Sequence, residues 1–424
     1  MAYGHRRFPG GAVALAVACG LLVLGGCGKA EQPQAPQLTV RNPSNDARYD
    51  AAVAVDLGAA GIPIPQDATL VVRDGKRPVP SQLADTNGDG IHNVLWIVTD
   101  YAPGESRTFT IKPGIPAMAT ARTQAEVSVK EGGHWEGQHY VGGQFVNVNK
   151  VVTPPDFKDH AEYIRYEGPG IESDRVGYRF YLDWRNGFDI FGKKTRAMVL
   201  QNIGQDGYES YHEPSDWGMD ILKVGDSLGI GAFGFWNGKS VERVSDVETR
   251  TARVLDRGPL YSMLEILYDE WHTSESQTDV KALLSMSAGS RLVHVRLTMS
   301  EPLSNIAIGI VKDPAAELID GSPGTDGGFG YFATWGKQSL SGPDDDLGML
   351  LLYRQADVIE RAEDELSHVV VLRPTDGKVE YWFGAAWSEE PDGITTAAGF
   401  TDYLRHKARE LEAPLELELP ESGR

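Results

Sequence analysis

"HAEYIRYEGPGIESDRVGYRFYLDW" runs from His160 to Trp184. From Arg175 onward its residues alternate. Val176, Tyr178, Phe180, Leu182 and Trp184 fall on one side; Arg175, Gly177, Arg179, Tyr181 and Asp183 fall on the other. A period of two is the mark of a β-strand with one face on a core. The polar side is unusual. Solvated strand faces favour Thr, Lys, Glu and Ser, whereas this one holds two arginines, a tyrosine and an aspartate, preceded by His160, Tyr163, Arg165, Tyr166, Glu167 and Glu172. Guanidinium forks hold carboxylates in bidentate geometry. The combination predicts a groove face for carbohydrate; a plain water-facing strand is the bland alternative.

Similar runs recur on both sides of this stretch. Downstream, "LGIGAFGFW", "YSMLEILYDEW", "DVKALLSMSA", "RLVHVRLTMS", "IAIGIVK", "GYFATWG", "LGMLLLYR", "HVVVLRP" and "VEYWFGAAW" read as strands. One helix is predicted in "TTAAGFTDYLRHKARELEAPL", where Phe400, Tyr403, Leu404 and Leu411 keep helical spacing. Upstream, "LTVRNP", "AAVAVDL", "ATLVVRDG", "NVLWIVTD" and "SRTFTIKP" are short β runs between Gly, Pro, Asn and Asp signals. The expected fold is all-β. A small immunoglobulin-like sandwich over residues 38–115 precedes a large antiparallel two-sheet domain over 120–424, with "MATARTQAEVSVKEGGHWEG" as the bridge.

The N-terminus sets the expected location. Arg6 and Arg7 precede an apolar stretch too short to span a membrane as a normal helix, ending in "LGGC" at Cys27. Residues 1–26 read as a lipoprotein signal, Cys27 as the lipidated residue, and 27–37 as a tether; an ordinary signal peptide is the alternative. The expected site is the cell envelope, at the outer membrane of a Gram-negative bacterium, with the lipid as the only membrane contact. Cys19 leaves with the signal, so no disulfide is expected. The net charge of −20 argues against a nucleic-acid partner.

Two loops carry further chemistry. In "DTNGDGIHN", Asp85, Asn87, Asp89 and Asn93 stand at positions one, three, five and nine, with Gly90 at six. This is the ligand rhythm of a calcium loop, expected to be structural here; a metal-free Asn/Asp/Gly turn is the alternative. "SYHEPSDWGMDILKVGDSLGIG" concentrates Tyr211, His212, Glu213, Asp216, Trp217, Asp220 and Lys223 in a loop running into a strand. His294 and Arg296, on one side of "VHVRL", form a third and weaker candidate. No organic cofactor is expected. Phosphate loops and nucleophile elbows are absent from the sequence, and no dinucleotide fingerprint stands between a strand and a helix.

"YIRYEGPGIESDRVGYRFYLDWRNGFDIFGKKT", "YHEPSDWGMDILKVGDSLGIG" and "LVVRDGKRPVPSQLADTNGDGIHNVLWIVTDYAPGESRTFTI" together resemble the bacterial domain-of-unknown-function family 4861. The resemblance covers nearly all of the chain beyond the signal. It implies an exported protein linked to breakdown of uronate-containing polysaccharides. By analogy, the large domain is similar to the supersandwich of galactose mutarotases and several polysaccharide lyases.

The leading expectation is then a lyase acting by β-elimination on an acidic polysaccharide or oligosaccharide. Elimination needs a cation for the carboxylate, a base for the adjacent proton and an acid for the leaving oxygen. Arg175, Arg179 and Arg165 suit the first task, His212 or Tyr211 the second, and Tyr181 or Tyr166 the third. Glu167, Asp183, Trp217, Asp220 and Lys223 complete the expected binding set. One alternative is a glycoside hydrolase with two of Glu167, Glu172, Asp183, Glu213, Asp216 and Asp220 as its acids. The other is a non-catalytic glycan-binding lipoprotein.

Overall fold

In the computed structural model, residues 35–62, 69–117, 119–321 and 328–419 are described. The signal, Cys27 and most of the tether lie outside them. The protein is all-β, with antiparallel sheets and, among the described residues, one α-helix.

The alternation of the opening stretch is reproduced from Val176 to Leu182. The strand Val176–Phe180 turns Val176, Tyr178 and Phe180 into the main core, and Leu182 follows just beyond its end. Trp184 does not join them: it is 39% exposed and lies over the Arg243 guanidinium at 4.8 Å. The chain turns after Phe180, where Tyr181 N donates to Gly187 O at 3.0 Å, and the period ends there.

This strand sits in a six-stranded sheet between Gly170–Ser173 and Phe188–Lys193. Opposite it is a nine-stranded sheet that includes Tyr261–His272, Gln277–Ser287, Leu292–Met299, Lys378–Trp387 and Leu347–Arg354. A five-stranded sheet continues the first layer. Between the layers lies one apolar cluster, built from the inward side chains of all three sheets. Tyr178 crosses it: its hydroxyl donates to Arg291 O and accepts from Ala385 N, both at 2.7 Å. A buried phenol satisfied on both sides fixes the distance between the sheets.

The small sandwich has its own core around Val40, Val55, Val72, Ile97 and Phe109. It is closed by a strand from the far end of the chain. Glu416–Glu418 pairs with Gln37–Arg41, so the last described strand joins the first in the sandwich's five-stranded sheet. Three charged-apolar residues give no strand signal of their own; the pairing is imposed by the neighbour. The segment read as a bridge is in fact the 14-residue strand Thr123–Glu136, paired with His139–Val148. Only its first half is buried, so no clean period marks it.

The helix Ala397–Glu412 lies where its spacing predicts. Thr396 caps it, accepting from Gly399 N at 3.1 Å. Phe400, Leu404 and Ala408 pack on the outer face of the nine-stranded sheet, against Trp335, Leu350 and Leu352. Helix and small sandwich thus both stand on that outer face, with a groove between them.

Candidate functional site

The polar side of the 175–183 stretch and the 211–220 loop do meet. Arg179, 3% exposed, is their junction. Its Nε and Nη2 donate to Asp189 at 2.9 and 2.7 Å, Nη2 donates to Asp220 at 2.5 Å, and Nη1 donates to Tyr211 Oη at 2.9 Å. Tyr181 donates its hydroxyl to Asp189. Burial, then the nearby charge of Asp220, raises the Asp189 carboxyl to about 6. Burial also raises the Tyr181 and Tyr211 phenols, so both keep their protons.

His212 forms the rim of this network. Its Nδ1 donates to Tyr208 O at 2.7 Å, and its Nε2 stands 3.2 Å from Asp220. A carbonyl can only accept, so Nδ1 carries a proton; Nε2 faces a carboxylate and needs one too. The hydrogen bond to Asp220 accordingly raises the His212 pKa. Both ring nitrogens face acceptors, so neither is free to take a proton from a ligand. The base role expected of His212 or Tyr211 has no support in this geometry.

The other expected residues scatter. Arg165, 1% exposed, donates to Leu200 O and Ile203 O at 2.7 Å each and pairs with Glu126; Tyr166 donates to the same Glu126 at 2.5 Å. They tie the 195–205 loop to the strand Thr123–Glu136 and have no free face for a ligand. Glu167 accepts from His160 N at 2.7 Å and pairs with Arg185 at 2.8 Å. Asp183 pairs with the same Arg185. Glu172 is buried against Lys193. Trp217 rests edge-on to Phe191 at 6.0 Å, and Arg175 donates to Pro391 O at 3.4 Å. Lys223 is exposed at a separate surface hollow, beside Asp226 and Lys312.

Among the described residues, five of the nine non-glycine residues with positive φ lie in this region: His160, Glu162, Tyr166, Glu167 and Asn186. Such backbone is held by its surroundings at a cost. Yet the cavity beside it, lined by His160, Glu167, Tyr208 and Tyr211, measures about 20 Å³. That is room for about one water, not for a sugar ring.

In the 85–93 loop each expected calcium ligand holds the turn. Asp85 accepts from Gly88 N and Gly90 N at 2.7 Å each, Asp89 from Ile91 N at 2.8 Å, and Asn93 from Thr86 N at 2.9 Å. Asn87 accepts from Asp89 N at 3.2 Å. These oxygens serve amides at separate points along the turn, which the metal-free reading needs. Calcium ligation remains a proposal.

Space for a ligand exists on the outer face of the nine-stranded sheet. There His294, Arg296, Tyr261 and Trp382 line a cavity of about 360 Å³, closed on the sandwich side by Trp96. Trp96 stacks on Tyr261 with centroids 4.0 Å apart. Strand alternation explains the composition: Val293, Val295 and Leu297 point into the core, so His294 and Arg296 point out. On the next strand Tyr381 and Phe383 point in, which turns Glu380 and Trp382 out.

His294 Nε2 meets Glu380 Oε1 at 2.7 Å, leaving Nδ1 with no hydrogen bond among the described residues. Burial pulls the His294 pKa below its usual value, against the opposing pull of Glu380. The ring is neutral at neutral pH, with a free basic nitrogen. Arg296 is half-buried, and its guanidinium makes no hydrogen bond or ion pair among the described residues; Nε is fully buried without a partner. Glu380, its register partner across the ladder, is engaged by His294 and by Arg354 at 3.7 Å. The sequence points only weakly to His294 and Arg296, and its patterning does not single out Tyr261, Glu380 or Trp382. A compositional signal exists: a strand whose outward side carries Trp382 beside Glu380 is as odd as one carrying Arg179 beside Tyr181.

Fold and groove define an all-β protein with a polar, aromatic-lined cleft at the junction of a small sandwich and a large sheet stack. The chain belongs to the family described as domain of unknown function (DUF4861), which matches residues 40–417. Among solved structures it is similar to an alpha-mannosidase from Enterococcus faecalis, at 9% identity and a TM-score of 0.46, over 93% of this chain and 47% of that one. A protein in glycosyl hydrolase family 38 from the same organism is similar at 9% identity and a TM-score of 0.45, over 93% and 48%. The chain spans about half the length of these two structures. No curated protein matches it.

Proposed function

We propose that the protein is a carbohydrate-active lyase that cleaves uronate-containing glycans by β-elimination, in the groove that holds Arg296, His294 and Tyr261. The observation that carries this reading is Arg296, a half-buried cation with no acceptor, lining the same cavity as a histidine with a free nitrogen. A half-buried guanidinium that makes no hydrogen bond, its charge only partly offset by nearby Glu380, is a ready site for a carboxylate.

The roles follow from the chemistry. Arg296 binds the uronate carboxylate and neutralises the charge that builds as the adjacent carbon loses its proton. His294 Nδ1 takes that proton; Glu380, bonded to Nε2, fixes the tautomer and steadies the imidazolium. The bond from the β-carbon to the glycosidic oxygen breaks, and the carbon–carbon double bond forms. The leaving oxygen takes the Tyr261 proton, which burial holds in place until then. Solvent exchange returns both groups to their starting states. Trp382 and Trp96 supply flat faces for sugar rings.

For the hydrolase alternative, Glu167, Glu172, Asp183 and Asp220 are each held in ion pairs, while Glu213 and Asp216 are exposed and do not line the groove. Export by a lipoprotein signal and lipidation at Cys27 belong to the same proposal. The test is to incubate the full chain with uronate oligosaccharides, following both ultraviolet absorbance and reducing ends. Elimination raises both together; reducing ends without absorbance would mean hydrolysis, and binding without either would leave a glycan-binding protein.

A further inference from the structure

The groove does not end at Arg296. A second cavity of about 370 Å³ adjoins the first, and Trp382, Leu292, Ser287, Ser290 and Ala54 line both. It runs between the small sandwich and the helix Ala397–Glu412. Each cavity is large enough for at least one sugar ring, so a bound glycan would cross Trp382 from one to the other.

The two halves differ in charge. In the first half Arg296 is, among the described residues, the only side chain of fixed charge in the lining. In the second the lining holds two cations, Arg48 and Lys407, and two anions, Asp50 and Glu410. All four are engaged. Lys407 pairs with Glu410 at 2.7 Å, and Asp50 takes both Nη atoms of Arg122 at 2.7 and 2.8 Å. Arg48, 6% exposed, donates to the carbonyl oxygens of Glu410 and Ala413, and its Nε is buried without a partner, out of a ligand's reach. A carboxylate entering this half loses water and meets no uncommitted cation, whereas a neutral sugar loses only hydroxyl hydration. At the rim Tyr49, 74% exposed, offers an aromatic face to the apolar side of such a ring.

We propose that the substrate is a mixed glycan, in which the uronate held by Arg296 is bonded to a neutral sugar held between Trp382 and Tyr49. This rests on the groove of the elimination reading, but on binding alone and not on the chemistry. A homopolymer of uronates would place its second carboxylate in the charge-balanced half.

The test uses the full chain carrying His294→Ala, titrated with two oligosaccharides of equal length. One alternates hexuronate with a neutral hexose or deoxyhexose; the other is all hexuronate. The alternating one is expected to bind about tenfold tighter or better. Tyr49→Ala should erase that preference without changing the binding of a single uronate. Equal or tighter binding of the homopolymer overturns the proposal, and so does binding of neither. Wild-type protein on the same pair judges the chemistry separately. A preference without unsaturated product keeps the mixed substrate and removes the elimination reading; product without a preference does the reverse.

Discussion

His294 lies flat on Trp382, with ring centroids 4.4 Å apart and planes within 5°. The two are register partners on neighbouring strands of the nine-stranded sheet. The stacking fixes the plane of the imidazole, and Glu380 fixes its rotation by holding Nε2. A base whose two ring nitrogens have different, fixed neighbours is preorganised for one proton.

Removing the cation tests the carboxylate role. Arg296→Ala should lower kcat/KM on a uronate oligosaccharide by about 100-fold or more, as expected when a buried charge loses its partner. Arg296→Lys should recover part of this, since a point charge replaces a fork. Thermal unfolding should barely change, because the guanidinium bonds to no other described residue.

The pH profile follows from the direction of the His294 shift. Burial lowers its pKa, so the basic form persists below pH ~6.5, the ordinary histidine value. The acid limb of kcat/KM should therefore fall below about 6.5. Glu380→Gln removes the opposing pull, so the limb should move to still lower pH while the maximum rate drops. A limb above 6.5 contradicts the assignment.

Arg179 is predicted to matter for stability. Arg179→Met leaves Asp189 and Asp220 buried without their shared cation, at a loss of about 3–5 kcal/mol at neutral pH. The folded variant would then hold a carboxyl proton that the unfolded chain releases. Its deficit should shrink as pH falls from 8 to 5, read by urea unfolding at both values.

His212 gives the opposite dependence from a different cause. Its folded pKa is raised by Asp220, so its contribution is fully present below the unfolded pKa of about 6.5. It fades as pH rises through the folded pKa. The Tm difference between wild type and His212→Ala should be larger at pH 6 than at pH 9. Elimination by the variant should stay near the wild-type rate, since His212 does not line the groove.

The calcium proposal has its own measurement. Ligation by Asp85, Asn87, Asp89 and Asn93 makes Tm sensitive to a chelator, and Asp85→Ala removes that sensitivity. An unchanged Tm in chelator leaves the loop as a hydrogen-bonded turn.

The strands were legible because bulky side chains alternate in them, and Val176, Tyr178 and Phe180 face the core as the period requires. That Arg179 meets Asp220 is not written in the sequence, which shows only two polar concentrations. Nor does the sequence reveal the cover: Val199, Leu200, Ile203 and Tyr211 pack over that face and remove it from solvent. Burial by a distant loop leaves no local period. The reverse holds for His294 and Arg296, whose strand looks ordinary until the small sandwich and the helix rise on either side of it. A groove made by three separate segments is a property of their packing.

The most direct measurement is ultraviolet absorbance during incubation of wild type, Arg296→Ala, His294→Ala and His212→Ala with uronate oligosaccharides. The account predicts an unsaturated product from wild type and His212→Ala, and almost none from the two groove variants. Product that persists in both groove variants and vanishes in His212→Ala would place the chemistry at the Arg179 network and contradict it.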